Sequence, residues 1–379
     1  MPEAAAGEVA AGFPSAAPTG RLPLPLGSTI GILGGGQLGR MLSLAASRLG
    51  FRTHIYCPDP QSPAFEVTPH RTVAAYGDER ALMTFAAAVD VVTYEFENVP
   101  AATAELLAGL KPLRPGPNAL AISQDRLAEK SFIAALGVPI APHRAIRSAD
   151  DIPPALAALG SPVILKTTRL GYDGKGQRRV ATLAEATAAF LELSPHPLVM
   201  EAFVPFTREI SVVLARGSDD AIAAFDPAEN VHRDGILATS TVPASISAQT
   251  AATAKSHAAA IANALDYVGV LGVEFFVLAD GAVIVNEIAP RVHNSGHWTE
   301  AVCVTDQFEQ HIRAIAGWPL GDPSRLADVV MENLIGDGIA AIPARLGPGI
   351  RPHAYGKAES RPGRKMGHIN RIAVQKPTK

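Results

Sequence analysis

The sequence is poor in cysteine, nearly balanced in charge and free of long apolar runs, and each shortage argues against a class of protein. Only Cys57 and Cys303 occur among 379 residues, so no disulfide framework is implied and a reducing, cytoplasmic compartment is expected. No apolar run approaches the roughly 20 residues that a transmembrane helix needs, so no membrane contact is expected. The formal net charge of −3 gives no general attraction to nucleic acid.

The first 27 residues lack the basic start and apolar block of a secretory signal peptide. Glu3 and Glu8 come early, and Pro14 and Pro18 interrupt the segment. The acidic residues also disfavour a transit peptide. A composition rich in alanine, proline and glycine predicts a disordered extension over residues 1–27.

Strands and helices alternate after this extension. Residues 30–33, 54–57 and 89–94 are predicted strands, and residues 38–49 have apolar side chains at helical spacing. This alternation predicts a parallel sheet covered by helices in an N-terminal α/β domain.

A glycine-rich loop lies between the first predicted strand and helix. Gly34, Gly36 and Gly39 have the spacing of a turn whose backbone amides face an anion at a helix N-terminus. Asp59 follows near the position of a ribose-binding acid, so the loop taken alone predicts an NAD-dependent oxidoreductase. The same loop also fits any other phosphate-bearing ligand, and a purely structural turn remains a third interpretation.

A lysine and a second glycine-rich loop point to another nucleotide site. Lys166 ends the apolar run 163–166, and the loop 171–177 follows it. The position predicts an ammonium group aimed at phosphates and a loop that opens and closes as a lid. The loop is not a Walker A motif because no Gly-Lys-Ser/Thr occurs. The alternatives are a surface lysine and a plain flexible turn.

Two glutamates are predicted to face each other on a hairpin. If Asp280 and Gly281 form a two-residue turn, Glu274 lies opposite Glu287. Directly opposed carboxylates repel each other, and Mg²⁺ offsets such repulsion. A solvated sheet end or one protonated carboxyl group is the alternative. The same face is predicted to contain Phe276, Leu278, Val283 and Val285.

Several motifs occur in an order that resembles the ATP-grasp superfamily and, within it, the N5-carboxyaminoimidazole ribonucleotide synthases of purine biosynthesis. The motifs are Gly-Gly-Gly-Gln-Leu-Gly-Arg-Met at 34–41, Tyr-Glu-Phe-Glu-Asn-Val at 94–99, Gly-Tyr-Asp-Gly-Lys-Gly-Gln at 171–177 and Ala-Pro-Arg-Val-His-Asn-Ser-Gly-His at 289–297. The resemblance covers residues 28–375. It implies an N-terminal pre-ATP-grasp domain at 28–122, an ATP-grasp domain at 123–316 with a lid subdomain at about 137–204, and a small C-terminal domain at 317–379.

The resemblance also assigns residues to ATP and Mg²⁺. The phosphates would be contacted by Arg126 and Lys166 and covered by Gly171, Tyr172, Asp173, Gly174, Lys175, Gly176 and Gln177. Adenine and ribose would be held by Glu201, Ala202, Phe203, Val204 and Glu209, with His232 nearby. Mg²⁺ would be held by Glu274 and Glu287, helped by Asn286.

The acceptor side is assigned in the same way. Bicarbonate and the acceptor amine would be held by Arg291, His293 and Asn294. The 5-aminoimidazole ribonucleotide would be bound by Gly35, Gly36, Gln37, Leu38, Glu95, Asn98, Tyr172, Asp173, Lys357 and Arg364. The expected catalytic residues are Lys166, Arg291, His293, Asn294 and Lys357. His293 and His297 have the i, i+4 spacing of a metal pair, but no third ligand is evident nearby in the sequence.

The implied reaction is the ATP-dependent carboxylation of 5-aminoimidazole ribonucleotide by bicarbonate through carboxyphosphate, in IMP biosynthesis. A homodimer is expected. Another ATP-grasp carboxylase or ligase remains an alternative because such enzymes differ mainly in the acceptor pocket. An NAD-dependent oxidoreductase would leave the lysine, the lid and the acidic hairpin without a role. A non-catalytic nucleotide sensor is the third alternative.

Overall fold

A computed structural model describes residues 22–171 and 174–373, whose strands form three sheets. Within these ranges, no helix is both long and apolar enough to cross a lipid bilayer.

The first sheet is parallel, with strand order β3-β2-β1-β4. Its strands are β1 (Thr29–Leu33), β2 (Arg52–Tyr56), β3 (His70–Thr72) and β4 (Val91–Tyr94). The accompanying helices are α1 (Gln37–Arg48), α2 (Glu79–Ala87), α3 (Ala101–Leu110) and α4 (Pro117–Ser123). β4 is buried throughout, as expected where helices cover both faces of a parallel sheet. The predicted parallel sheet is therefore confirmed.

The second sheet is small and antiparallel, with strand order β5-β8-β6-β7. It is preceded by the helix α5 (Arg126–Ala135). Its elements are β5 (His143–Ile146), α6 (Ile152–Leu159), β6 (Val163–Thr167), β7 (Gln177–Val180), α7 (Leu183–Leu193) and β8 (Leu198–Ala202). We call this sheet and its two helices the lid unit.

The third sheet has nine strands in the order β14-β13-β9-β11-β12-β15-β17-β16, with β10 paired to β9. The elements up to the last long helix are β9 (Arg208–Arg216), β10 (Ile222–Ala224), β11 (Ala228–Arg233), β12 (Ile236–Val242), α8 (Ala248–Ala264), β13 (Gly269–Val277), β14 (Val283–Ala289), α9 (Thr299–Val302) and α10 (Gln307–Ala316). The remaining elements are β15 (Val329–Ile335), α11 (Ile342–Arg345), β16 (Ile350–Ala354) and β17 (Lys365–Ile372). The C-terminal strands thus extend the same sheet rather than forming a separate one.

One hydrophobic core joins the first sheet to the third. Leu38, Met41 and Leu42 on α1 are buried in the same cluster as Phe308 and Ile312 on α10. Because α1 begins directly after the glycine loop, this packing fixes that loop against the body of the molecule.

The N-terminal segment packs from residue 22 onward, earlier than the sequence suggests. Leu24 is buried in the core, and its backbone N–H donates to the Ala316 carbonyl at 2.8 Å. The indole N–H of Trp318 donates to the Leu24 carbonyl at 2.9 Å. The disordered extension expected over residues 1–27 is therefore wrong for 22–27, because a leucine and a tryptophan bury each other there.

Candidate active site

A cavity of about 580 Å³ lies where the three sheets meet. Many of the residues singled out in the sequence line it. They are Gln37, Leu38, Glu95, Asn98, Arg126, Lys166, Gly171, Gly174, Lys175, Gln177, Glu201, Ala202, Phe203, Val204, Glu209, His232, Glu274, Asn286, Glu287, Arg291, His293 and Asn294. The structure thus brings together groups that are up to 257 positions apart in sequence, from Gln37 to Asn294. Tyr172 and Asp173 lie outside the described residues.

The hairpin at the floor of the cavity differs in detail from the prediction. Leu278 N–H donates to the Ala282 carbonyl at 2.9 Å, so the loop contains three residues rather than two. Gly281 has φ +86°, which is the left-handed conformation that such a loop requires at its last position. The predicted two-residue turn is therefore wrong.

A β-bulge restores the predicted opposition of the two glutamates. Val277 pairs with Val283 near the loop, and the register shifts by one residue between Glu274 and Phe275. Glu274 consequently lies opposite Glu287, as predicted, and Asn286 is the extra residue on its strand.

The apolar neighbours of the two glutamates are partly different from those predicted. Phe276 lines the cavity with Glu274. Val283 and Val285 are instead buried in the core with Phe275. The predicted position of these two valines on the glutamate face is wrong, because the three-residue loop shifts the alternation of β14 by one residue.

The acidic pair lies in an environment that disfavours its two charges. Burial and the neighbouring Glu287 raise the pKa of Glu274 to about 7. Glu287 accepts a hydrogen bond from the Arg126 guanidinium at 2.9 Å. The side-chain oxygen of Asn286 is buried and has no hydrogen-bond donor among the described residues. Oxygen atoms of three side chains therefore converge here, and the one on Asn286 has no hydrogen-bond donor.

Two lysines share one carboxylate beside this pair. Lys166 on β6 donates to Glu201 on β8 at 3.0 Å, and the ammonium nitrogen of Lys130 on α5 lies 3.2 Å from the other oxygen. Burial would raise the pKa of Glu201, but the two ammonium groups outweigh burial and hold that pKa at about 2. The group has one surplus positive charge. Lys130 was missed because nothing in its helical segment marks it as buried.

Another part of the cavity lining is suited to a nucleoside. Phe203 follows β8, and the Arg179 guanidinium lies 4.3 Å from the centre of its ring. Glu209 on β9 lies 3.0 Å from Nδ1 of His232 on β11. Burial lowers the pKa of His232, but the hydrogen bond and charge of Glu209 outweigh burial and raise it overall. An apolar ring and an acid thus line this part of the cavity.

The glycine-rich loop of the lid unit reaches across the cavity. A Cβ atom on Gly174 would lie 3.0 Å from Cα of Gly235, in the turn between β11 and β12. Gly174 and Gly176 both have left-handed φ angles, +74° and +72°. Glycine is therefore required at Gly174 by conformation and by space.

The first glycine loop contacts a protein carboxylate. The backbone N–H groups of Gly36 and Gly39 both donate to Glu95, the latter at 2.5 Å. A Cβ on Gly34 would lie 2.3 Å from the Glu95 side chain. The expectation that the Gly36 amide faces a phosphate is thus corrected, because Glu95 takes the place of that anion. A dinucleotide pyrophosphate would need the same amides, which argues against an NAD site.

An ion pair connects the first domain to the large sheet. Arg291 donates to Glu97 through Nε at 2.5 Å and through Nη2 at 3.2 Å. Burial would raise the pKa of Glu97, but Arg291 outweighs burial and holds that pKa at about 2. Glu97 lies in the quoted motif, yet it was not among the predicted site residues.

His293 and Asn294 follow Arg291 and are held by polar side chains. Nδ1 of His293 lies 2.7 Å from the Ser295 hydroxyl, and its Nε2 lies 3.4 Å from Glu274. Burial and Arg291 lower the pKa of His293 to about 3, so the ring is neutral near pH 7. Asn294 and Asn333 exchange two amide hydrogen bonds, at 3.0 and 2.8 Å.

The C-terminal cations are arranged differently from the prediction. Lys365 at the start of β17 lines the cavity, whereas Lys357 and Arg364 are not among its lining residues. Lys357 donates to the Lys365 carbonyl at 2.6 Å, and Arg364 donates to the Glu359 carbonyl at 2.8 Å. The expectation of Arg364 as a cavity residue is corrected, because its guanidinium closes the local turn instead. The field of Lys357 nevertheless reaches Glu95.

Three family models match the chain in sequence order. They are a ribonucleotide synthetase pre-ATP-grasp domain at residues 27–124, an ATP-grasp domain at 131–308 and a phosphoribosylaminoimidazole carboxylase C-terminal domain at 329–378. These matches confirm the predicted fold class, an ATP-grasp fold preceded by a parallel-sheet domain.

Similar proteins and structures extend over nearly the whole chain. N5-carboxyaminoimidazole ribonucleotide synthase from Brucella melitensis is 56 % identical over 349 residues, which are 91 % of this chain and 96 % of that protein. The Pseudomonas aeruginosa synthase is 43 % identical, covering 92 % and 96 %. The Staphylococcus aureus synthetase with ADP has a TM-score of 0.89, 35 % identity and coverage of 93 % and 95 %. The Aspergillus clavatus synthase with ADP and 5-aminoimidazole ribonucleotide has a TM-score of 0.85, 32 % identity and coverage of 92 % and 94 %.

Proposed function

Because the chain belongs to the N5-carboxyaminoimidazole ribonucleotide synthase family, we propose that it carboxylates 5-aminoimidazole ribonucleotide with ATP and bicarbonate. The observation behind this proposal is that one cavity contains both a polyphosphate-type site and a separate polar pocket. The first is built from Lys166 and Arg126 on the cavity lining, with the buried Lys130 sharing Glu201, and the second is built around the Glu97–Arg291 pair.

The cationic cluster is suited to the ATP phosphates. Lys130 and Lys166 exceed their shared carboxylate by one charge, and Arg126 lies beside them. Burial and Glu287 raise the pKa of the neighbouring Glu129 to about 8, so it adds no negative charge near pH 7. Three cations therefore face the carboxylates of Glu201 and Glu287, which is costly unless an anion completes the set. A bound polyphosphate would do so, with adenine at the Phe203 end and ribose beside Glu209.

The acidic hairpin fits a magnesium ion. Glu274 and Glu287 are opposed, and the Asn286 oxygen beside them is buried without a donor. Mg²⁺ prefers this kind of oxygen set, completed by phosphate oxygens and water. When bound, it would neutralise charge on the transferring phosphoryl group. The three residues would hold it, and Arg126 would be released from Glu287 to the phosphates.

The proposed reaction proceeds in three stages. A bicarbonate oxygen takes the γ-phosphoryl group of ATP, giving carboxyphosphate and ADP. The carbon–oxygen bond to phosphate then breaks, giving CO₂ and phosphate. The exocyclic amine of the ribonucleotide forms a bond to this carbon and loses a proton. Because His293 has a pKa of about 3, released phosphate is the stronger candidate for the acceptor of that proton.

The lid has a direct role in this chemistry. Carboxyphosphate and CO₂ are lost if water or an open site reaches them. The close approach of Gly174 to Gly235 brings the lid loop onto the far wall of the cavity. We expect closure to require both nucleotides, so that the reactive intermediate forms only when the acceptor is present.

Coupling of the two half-sites gives the test of the proposed function. ADP release with Mg²⁺-ATP and bicarbonate alone should be slow, and 5-aminoimidazole ribonucleotide should accelerate it strongly. A steady-state ADP assay, run with and without the ribonucleotide, measures this. Equal rates in both arms would contradict the assigned acceptor, and stimulation by glycinamide ribonucleotide with formate instead would support another ligase.

Lys130 is proposed as a positioning residue for the ATP site. Lys130→Met should raise the KM for ATP roughly tenfold, since one charged partner of Glu201 is worth about 1.5–3 kcal/mol. The fold should persist because Lys166 still neutralises Glu201. Lys255→Met is a matched control, since Lys255 pairs with Asp226 at 3.1 Å away from the cavity lining. A lowered melting temperature with an unchanged KM for ATP would reduce Lys130 to a structural role.

Binding of the ribonucleotide through its phosphate should depend more on Lys365 than on Arg364. Lys365→Ala should raise the KM for the ribonucleotide roughly tenfold and leave that for ATP nearly unchanged. Arg364→Ala should have a smaller effect, because its guanidinium binds the Glu359 carbonyl. Lys357→Ala should act like Lys365→Ala, because Lys357 donates to the Lys365 carbonyl and its charge acts on Glu95. The KM for the ribonucleotide is measured for all three variants. The largest rise in Arg364→Ala would contradict the assignment of Lys365 to the phosphate.

The homodimer and the cytoplasmic location stay predictions. Light scattering of the purified protein tests the homodimer, and we expect the molar mass of two chains.

A further inference from the structure

Glu300, His353 and His368 meet on three different elements, outside the cavity described above. Glu300 lies on α9, His353 on β16 and His368 on β17. His353 and His368 are directly opposed in the β16–β17 ladder. Oε2 of Glu300 lies 3.2 Å from Nδ1 of His353 and 3.9 Å from Nε2 of His368. One potential ligand atom from each of the three residues lies within 4.8 Å of the others.

The orientation of His368 is fixed by a buried tyrosine. The hydroxyl of Tyr355 lies 3.0 Å from Nδ1 of His368, and both side chains are almost fully buried. For Nε2 to be a ligand on the side of Glu300, Nδ1 of His368 carries the proton and donates it to the Tyr355 oxygen. A metal-binding histidine usually has its second nitrogen held by a polar partner in this way.

A single hydrogen bond does not satisfy this cluster. Nδ1 of His353 is within hydrogen-bond distance of Glu300, but Nε2 of His368 lies 3.9 Å from the same carboxylate oxygen, which is too long for a hydrogen bond. The two histidine rings are nearly parallel, with centroids 5.3 Å apart and an interplanar angle of 24°. A cation bound by all three residues would satisfy both nitrogens and the carboxylate at once.

A neighbouring histidine adds a second observation. Nε2 of His297 is buried and has no hydrogen-bond partner among the described residues, and its ring centroid lies 5.0 Å from that of His368. Gln307 occupies its Nδ1, donating at 3.0 Å. Nε2 of His297 therefore bears the proton and is not a ligand. Water on an ion bound at the cluster would supply an acceptor for this N–H group.

We propose that Glu300, His353 and His368 form a binding site for a divalent transition-metal ion of the zinc class. Two imidazole nitrogens and one carboxylate oxygen favour such an ion over Mg²⁺, which prefers oxygen ligands alone. Small side-chain rotations would bring the three atoms to metal-bond distance. The partly exposed side of Glu300 leaves room for water as the remaining ligand.

The site would fix the C-terminal strands to the body of the molecule. Its ligands join α9, which follows the Arg291–Asn294 loop, to the ladder from which Lys357 and Lys365 extend. The Lys357 ammonium lies 5.5 Å from the centre of the Tyr355 ring. An ion held through His368 would therefore stabilise the position of these two lysines without entering the reaction.

Metal titration tests this directly. The full-length protein is stripped with chelator, and Zn²⁺ is titrated against a chromophoric competitor. We expect one tight equivalent, weakened at least about 100-fold in His353→Gln and in Glu300→Gln. These two side chains are partly exposed, so the variants should fold, which circular dichroism checks. The matched control is the Glu274→Gln, Glu287→Gln double variant, which should keep the tight equivalent.

Two further readouts make the outcome decisive. Zn²⁺ should raise the melting temperature of the stripped protein but not of His353→Gln, and Co²⁺ should give a visible absorption band that Glu300→Gln loses. Absence of a tight equivalent in the folded wild-type protein would overturn the proposal. So would Zn²⁺ binding that the Glu274 and Glu287 changes abolish and His353→Gln leaves intact.

Discussion

Replacing Glu287 by glutamine should lower Mg²⁺-ATP-dependent turnover by orders of magnitude and leave the apo fold intact. The substitution keeps the shape of the side chain but removes one of two opposed carboxylate charges, and a metal site loses most when a charged ligand becomes neutral. The apo protein should hold its stability or gain slightly, because repulsion with Glu274 is relieved. The loss of the Arg126 contact at 2.9 Å limits this gain.

The raised pKa of Glu274 should also make the stability of the metal-free protein fall as the pH rises. The folded-state pKa of Glu274 is raised from 4.5 to about 7 by burial and by Glu287. Its contribution is therefore fully present below about pH 4.5 and is lost as the pH rises through 7. Urea unfolding from pH 5 to 8 should show this decline in the metal-free wild type and a flatter curve in Glu274→Gln. If Glu287→Gln clearly destabilised the metal-free protein and left activity normal, the Glu274–Glu287 pair would have a structural role instead.

Replacing Arg291 by methionine should abolish most turnover and also destabilise the fold. Arg291 donates to Glu97 through two nitrogens, and its loss leaves a largely buried carboxylate unpaired. Breaking a fully buried ion pair from one side costs about 3–5 kcal/mol, and we expect less here because the Glu97 side chain is 28 % exposed. The double change Arg291→Met, Glu97→Gln should recover much of the stability, because the orphaned charge is removed, but it should not recover activity.

Acid sensitivity separates these two effects. The folded pKa of Glu97 is depressed from 4.5 to about 2, so its contribution to stability is present above pH 4.5 and is lost as the pH falls toward 2. Arg291→Met should remove this part of the acid dependence. Full activity in the double variant would contradict a role for Arg291 at the acceptor pocket, since only the structural ion pair would then matter.

The glutamate pair illustrates what local sequence rules predict and where they fail. The opposition of Glu274 and Glu287 was predicted from a two-residue turn that does not exist. The loop has one residue more, and the bulge at Asn286 compensates for it. Neither has a strong local signal, because Ala279, Asp280 and Gly281 suit either turn. The apolar pattern was enough to predict that β13 and β14 are strands, whereas their register depends on tertiary packing.

Residues of the site that were missed share a different cause. Lys130 is buried because α5 packs against α4 and β14 and its ammonium group reaches Glu201 on β8. A helical lysine has no sequence feature that distinguishes it from a solvated one. Glu95 is a predicted substrate ligand and does line the cavity, but its hydrogen bonds with the glycine loop were not predicted. Arg364 and Lys365 are adjacent basic residues, and only the start of β17 at Lys365 decides which of them lines the cavity. These outcomes depend on contacts between distant segments.

Carboxylation through carboxyphosphate is tested most directly by following the carbon and an oxygen of bicarbonate into the products. The enzyme is incubated with Mg²⁺-ATP, 5-aminoimidazole ribonucleotide and bicarbonate labelled with ¹³C and ¹⁸O, and the products are examined by NMR. We expect a ¹³C-carbamate on the ribonucleotide amine and one ¹⁸O atom in the released phosphate. ADP formation with neither label transferred would contradict carboxylation through carboxyphosphate in this cavity.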